Sequence, residues 1–198
     1  MSIIDTLIYD RTIDDVNRVK ELTQKALANG WSSLSAAEQT EYLSNPKGAY
    51  NYADLNRVGA AVAYVATQLT TLPATIAAYL AANGIASDAA FEVPYTPSEI
   101  IVTAKQDWTV ADVPTQADAA AYIADITLLY GAFDLENAPT PPVSLDYLTY
   151  ETANDIERIL ALVSAKAVAF EREVKEKIDR AKLSIAYSGE IYCGEAIA

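Results

Sequence analysis

The segment Asn51-Tyr52-Ala53-Asp54-Leu55-Asn56-Arg57-Val58 carries the pattern of a helix start, because a capping side chain stands three residues before an acid. The side chain of Asn51 can accept a hydrogen bond from a backbone N–H that the helix leaves unpaired. The carboxylate of Asp54 can reach back to the cap, and it favours the positive end of the helix dipole. We therefore predict a helix from Ala53 to about Thr70, along apolar residues spaced three and four apart.

The same cap-and-acid pattern recurs along the chain and predicts further helix starts. The other pairs are Thr12 with Asp15, Ser35 with Glu38, Thr115 with Asp118 and Thr152 with Asp155. With these starts we predict helices over residues 13–28, 36–43 and 116–130, and a long helix from about Tyr150. Pro73 is expected to end the helix that begins at Ala53 and to open another that Gly84 closes, which makes six helices.

The predicted long helix contains no Pro or Gly between Tyr150 and Gly189 and would reach about 50 Å. Its apolar residues form a narrow seam in a three–four rhythm: Ile156, Leu160, Val163, Ala167, Phe170, Val174, Ile178, Ala181 and Ile185. A narrow seam with charged flanks favours pairing with one other helix, either from the same chain or from a second copy. Phe170, Val174 and Ile178 are the candidate interface residues of the second alternative.

Two other stretches differ from the helical pattern. Between Ile85 and Val113, the apolar residues around Pro94 and Pro97 predict two short strands that form a small edge ribbon. Near the end, Tyr187-Ser188-Gly189-Glu190 and Tyr192-Cys193-Gly194-Glu195 are near-copies and favour an extended docking tail. Tyr187, Ile191 and Tyr192 are its candidate contact residues, and a frayed terminus is the alternative.

The predicted fold class is mainly α: a helical bundle with a small β-ribbon, a long C-terminal helix and an extended C-terminal tail. The segment from Asn137 to Val143 contains three prolines and is typical of a stiff linker. We therefore predict a helical body over 1–136 with the ribbon insertion near 85–113. A proline-rich linker over 137–148 follows, and then the long helix and docking tail over 149–198.

Composition argues against several function classes. The net charge is −13 with no histidine, so we expect no nucleic-acid partner and no histidine-based acid–base catalysis. One cysteine allows no internal disulfide, and the missing histidines argue against a zinc site, so no metal or cofactor is expected. No apolar run approaches about 20 residues and no export signal is visible, so we expect no membrane partner and a protein that folds in the compartment where it is made.

The carboxylate clusters Asp14 with Asp15 and Asp112 with Asp118 resemble acid–base pairs, but helix-start acids explain them better. Trp108, in Asp107-Trp108-Thr109, is expected to anchor a loop on the core, with a carbohydrate platform as the alternative. We therefore predict that the protein is not an enzyme.

One helical motif occurs three times: acid, aliphatic, Asn or Glu, Arg, aliphatic. The copies are Asp15–Val19, Asp54–Val58 and Asp155–Ile159. The acid and the Arg stand three apart and can pair, so Arg57 is predicted on the outer face, bound to Asp54 or to a neighbouring subunit.

These motifs carry a resemblance to a family of tail-associated or minor structural proteins from phages and prophages of Gram-positive bacteria. Its most specific part is Lys47-Gly48-Ala49-Tyr50-Asn51 running into the second copy of the motif. Tyr9-Asp10-Arg11-Thr12, Asp107-Trp108-Thr109 and Leu148-Thr149-Tyr150-Glu151 continue it in the same order, and the stretch from Ala74 to Glu99 is longer than the family pattern.

The resemblance implies a structural virion protein of a phage tail, baseplate or fibre attachment that acts through protein–protein contacts. Expected partners are other virion proteins and further copies of this chain, and the expected location is the virion. The alternatives are a head, neck or decoration component, or a carbohydrate-binding receptor module that uses Trp108 and the tyrosines of the predicted ribbon.

Overall fold

The computed structural model describes residues 1–194, and it describes their side chains as far as Leu183. The fold is mainly helical, as predicted. It contains α1 (Ile13–Asn29), α2 (Ala36–Leu43), α3 (Tyr52–Ala82), α4 (Gln116–Tyr130) and α5 (Tyr150–Gly194). Short 3-10 turns cover Ile3–Thr6, Trp31–Ser33, Ala89–Phe91 and Pro97–Glu99.

The centre of the fold is the pair formed by α3 and α5, with α4 packed against both. Apolar side chains along one face of α3 are buried, and so are most of the described ones along the seam of α5 from Ile156 to Ile178, where Phe170 is half-buried. They form one cluster that includes Val58, Val62, Val65, Leu69, Ile126, Leu129, Ile156, Leu160, Val163, Val174 and Ile178. Burial of each such side chain contributes roughly 1.5–3 kcal/mol, so this cluster is the main source of stability.

Because core residues from both sides of 137–148 belong to this one cluster, the proline-rich segment joins parts of a single packed unit. The helix α3 is also long and apolar enough to cross a membrane by length and composition, a test that the central helix of a bundle meets as well.

The prediction that Pro73 ends a helix is wrong, because α3 continues through it to Ala82. Proline lacks the N–H that would bond to the carbonyl four residues earlier, which is that of Leu69. The hydroxyl of Tyr95 donates to that carbonyl at 2.9 Å and so replaces the missing hydrogen bond. Leu72 and Ile76 are buried on either side of the proline, and their packing holds the helix together. The structure therefore has five helices in its described part, not six.

The predicted β-ribbon is also wrong, since no strand occurs in the part of the chain that the structure describes. The backbone between α3 and α4 forms turns and extended stretches, and side chains from other elements satisfy it. Asp125 of α4 accepts a hydrogen bond from the N–H of Thr103 at 2.8 Å. Asn56 of α3 accepts from the N–H of Trp108 at 2.7 Å and donates to its carbonyl at 2.8 Å.

The helices α1 and α2 form a hairpin with its own small apolar contact, in which Leu22 and Leu34 are buried. Two ion pairs hold its helices together: Arg18 to Glu41 and Lys25 to Glu38, each at 2.8 Å.

The helix α5 extends beyond the end of α3. Lys182 reaches the side chain of Asn83, the residue that ends α3, at 3.2 Å, and α5 continues to Gly194. The segment from Tyr187 was predicted to be extended, and this is corrected as far as Gly194, because the backbone there is helical.

Candidate functional site

A buried cluster of four charged side chains, which we call the ion network, joins the start of the chain to the first turns of α3 and α5. Its members are Arg11, Asp54, Arg57 and Glu157. One amino group of Arg11 donates to Asp54 at 2.9 Å and to Glu157 at 2.7 Å. Arg57 donates to Glu157 through two nitrogens, at 3.0 and 2.8 Å, and it also pairs with Asp54. Arg11 is 4% exposed and Glu157 is fully buried.

Two cations and two anions make the ion network neutral, so its charges compensate one another where they are buried. Removing one partner from a buried pair leaves the other charge without compensation, which is far more costly than losing a surface pair. The carboxylate oxygen of Glu157 that accepts from Arg57 Nε also accepts a hydrogen bond from the N–H of Ile8 at 2.6 Å. This arrangement holds α3 and α5 in one register.

Asn154 fixes the segment that precedes α1 onto α5. Its amide oxygen accepts from the N–H of Arg11 at 3.0 Å, and its amide nitrogen donates to the Arg11 carbonyl at 2.9 Å. The guanidinium of Arg11 also lies 5.5 Å from the ring centre of Tyr50, a cation–π distance. Arg11 is therefore held by backbone, side-chain and ring contacts at once.

Next to the ion network, on the side of α4, lies a pair of buried tyrosines. The hydroxyls of Tyr50 and Tyr122 lie 2.5 Å apart. Burial raises the pKa of Tyr50 above its ordinary range, and it does the same to the pKa of Tyr122. Both hydroxyls therefore stay protonated at neutral pH and serve as hydrogen-bonding groups.

Beside the ion network lies an open cleft of about 450 Å³. Its walls come from three separate stretches of chain, each at or just before a helix that carries the repeated motif. They are the stretch from Arg11 to Lys20, the stretch from Lys47 to Tyr50 and the stretch from Leu148 to Ala153. This volume falls within the range of ligand and peptide sites.

Close backbone packing sets one wall of the cleft. A Cβ atom at Gly48 would lie 2.0 Å from the carbonyl oxygen of Asp15, so only glycine allows this approach. Lys47 forms an exposed ion pair with Asp10 at 2.6 Å on the same side. The segment from Lys47 to Tyr50 therefore lines the cleft, and Tyr50 also contacts Arg11 of the ion network.

The structure places the predicted caps at helix starts, with one exception. The hydroxyl of Thr12 accepts from the N–H of Asp15, and Asp15 accepts from the N–H of Thr12 at 2.8 Å. Thr115 with Asp118 repeats this geometry, and Asn51 accepts from the N–H of Ala53 while Asp54 accepts from the N–H of Asn51.

The exception is the start of α5, where the predicted cap Thr152 with Asp155 is wrong. The helix begins at Tyr150, so both residues lie inside it. The hydroxyl of Thr149 accepts from the N–H of Thr152 at 3.2 Å and takes the capping role.

The predicted interface on α5 is corrected for two of its residues. Val174 and Ile178 are buried within this chain, so at these two positions the seam packs on the chain's own helices. Phe170 is half-buried and packs on Phe133, with 5.9 Å between ring centres. The side chains of Tyr187, Ile191 and Tyr192 lie outside the described ones.

The prediction for Arg57 is wrong in part, whereas the prediction that Trp108 anchors a loop on the core is confirmed. Arg57 does pair with Asp54, but its side chain is only 16% exposed and binds Glu157 as well, so its predicted position on the outer face is wrong. Trp108 is buried, with the ammonium of Lys105 at 4.3 Å from its ring centre. Its ring therefore offers no open face on which a sugar could stack.

The sequence did not predict the ion network. Glu157 stands where the other two copies of the motif have Asn17 and Asn56, and this difference was the one available signal. Nothing local marks Arg11, whose partners are 43 and 146 residues away. In the described residues, no group of three or more Cys, Asp or Glu side chains has an arrangement that could hold a metal ion.

No family model matches this chain, and no curated protein or solved structure was found to be similar to it.

Proposed function

We propose that the protein is a structural component of a bacteriophage particle, in the tail, the baseplate or a fibre attachment. It acts by binding other virion proteins and not by catalysis, and it is made in the host cytoplasm before assembly. The family resemblance carried by the segments 9–12, 47–58 and 148–157 motivates this proposal. Those same segments form the ion network and the walls of the cleft.

The observation that supports this role best is the length of α5 relative to α3. Lys182 of α5 contacts Asn83, the residue that directly follows α3. Beyond it, α5 continues to Gly194, which adds about 18 Å of helix. A helical end that extends past its bundle partner provides a docking element without changing the fold that carries it.

The carboxylates that resemble acid–base pairs support the non-catalytic part of the proposal. The carboxylate of Asp112 accepts from the N–H of Thr109 at 2.6 Å and holds a turn. Asp15 and Asp118 accept bonds at helix starts in the same way. Groups occupied by the backbone in this manner stabilise helix ends and turns, and hydrogen bonding to the charged form lowers the pKa of Asp112 and of Asp118.

A truncation tests the docking role. A variant that ends at Leu183 keeps the described core, since Ile178 is the last buried member of the apolar cluster among the side chains that the structure describes. We expect it to fold with an unchanged unfolding midpoint and to fail to enter particles when it competes with the full chain during assembly. A matched control, Arg172→Ala on the exposed face of α5, should enter normally. Incorporation of the truncated chain at the level of the full chain would contradict the docking role.

A further inference from the structure

The cleft beside the ion network has an unusual charge for this protein. In the whole chain, acidic residues outnumber basic ones by 27 to 14. Four charged side chains line the cleft, and three of them are basic: Arg11, Lys20 and Lys47, with Glu151 as the acid. Arg11 is occupied by the ion network, and Lys47 is bound to the exposed Asp10 at 2.6 Å, so a ligand carboxylate can reach Lys20 directly and can compete with Asp10 for Lys47. Among the residues that the structure describes, Lys20 forms no ion pair.

The rest of the cleft is mainly apolar, formed by Ile13, Val16, Ala49, Leu148, Tyr150 and Ala153. An apolar floor beneath two lysines fits a peptide segment that carries large apolar side chains next to carboxylates.

The docking tail, Tyr187 to Glu195, has this composition. It contains Tyr187, Ile191 and Tyr192 together with Glu190 and Glu195, and no basic residue follows Lys182 in the sequence. Its charge and its apolar content therefore complement the cleft.

The tail cannot reach the cleft of its own chain. The cleft lies at the start of α5, where Thr149 to Ala153 form one wall, whereas Tyr187 lies 37 residues further along the same helix. At about 1.5 Å per residue, a continuous helix keeps the two apart by about 55 Å. A docking tail that binds in the cleft must therefore belong to another copy.

We propose that the cleft of one copy binds the docking tail of a second copy, so that chains join head to tail. Such a contact uses two different surfaces, and it therefore produces a ring if the rotation closes or a filament if it does not. The inference rests on the proposed function, because it names a partner for the docking tail.

Charge reversal in the full-length protein tests the contact. Lys20→Glu with Lys47→Glu reverses the cleft, and Glu190→Lys with Glu195→Lys reverses the tail. In sedimentation velocity, each double variant should associate at least about tenfold more weakly than the wild type, because like charges then face each other. The quadruple variant, in which both surfaces are reversed, should recover the association. Lys166→Glu with Lys177→Glu, on exposed positions of α5 away from the cleft, is the control that makes the same change in net charge.

Three results would overturn the inference. The wild type could remain monomeric at the highest concentration, the control could weaken association as much as the cleft variant does, or the quadruple variant could fail to recover it. A cleft variant that self-associates normally but no longer enters particles would assign the cleft to a different virion protein. The first of these outcomes would leave incorporation of the protein into particles intact, so it is distinguishable from failure of the proposed function.

Discussion

Arg11 and Glu157, which are 146 residues apart in sequence, form an ion pair of 2.7 Å in which neither side chain is more than 2% exposed. The pair connects the segment before α1 to the first turns of α5. Arg57 and Asp54 complete it, and all four charges are balanced within the core.

Breaking this pair should destabilise the protein strongly. Glu157→Gln keeps the shape of the side chain but leaves two arginines facing one carboxylate, so we expect a loss of about 3–5 kcal/mol in the free energy of unfolding. Urea denaturation measures it. Glu41→Gln, which removes the half-exposed partner of Arg18, is the control and should cost less than about 1 kcal/mol. Equal losses for the two variants would mean that the ion network contributes no more to the free energy of unfolding than an exposed ion pair does.

The close approach at Gly48 predicts a second large effect. Gly48→Ala would force the backbone of the 47–50 segment away from Asp15, at a cost of about 1–3 kcal/mol. Thermal unfolding detects this change. Gly131→Ala is the matched control, because a Cβ there would meet its nearest atom at 3.5 Å, an ordinary contact. A Gly48→Ala protein as stable as the control would show that the approach is looser than described.

The structure and the sequence pattern assign the cap of α5 to different threonines, Thr149 and Thr152. Thr149→Ala should cost about 1 kcal/mol, because it removes the cap that accepts from the N–H of Thr152. Thr152→Ala should cost clearly less, since its hydroxyl only bonds to that of Thr149. The sequence pattern predicts the opposite order, so the two unfolding free energies decide between them.

Asp125 should make stability depend on pH. Burial raises the pKa of its carboxyl in the folded protein above its ordinary value of 3.8. A raised pKa in the folded state means that stability is lost as pH rises from 3.8 through the folded pKa, because the folded protein holds the proton more tightly. Asp125→Asn keeps an acceptor for the N–H of Thr103 and has no charge to bury. The stability of the variant relative to wild type should therefore increase over that pH range, and denaturation at several pH values measures it. A constant difference would contradict the shift.

The sequence predicted those features that depend on local chemistry. Thr12, Asn51 and Thr115 each cap a helix close to the predicted start, because a cap acts on amides only two or three residues away. Pro73 misled the prediction because its cost is offset by Tyr95, a residue 22 positions later whose position depends on the tertiary fold.

The candidate site could not be predicted from local sequence patterns, because it also depends on residues that are distant in the sequence. Both the ion network and the cleft combine segments near residues 11, 50 and 150, and no spacing rule connects these. The apolar seam of α5 was visible, but Val174 and Ile178 are covered by the same chain, and amphipathic spacing does not say which helix covers a seam.

The most direct test of the account is the protein composition of purified phage particles, measured by quantitative mass spectrometry. We expect this chain to be present in intact particles at a fixed ratio to the tail proteins, and to stay attached through density-gradient purification. A chain that is found only in the unassembled fraction of the lysate, and is missing from infectious particles, would contradict it.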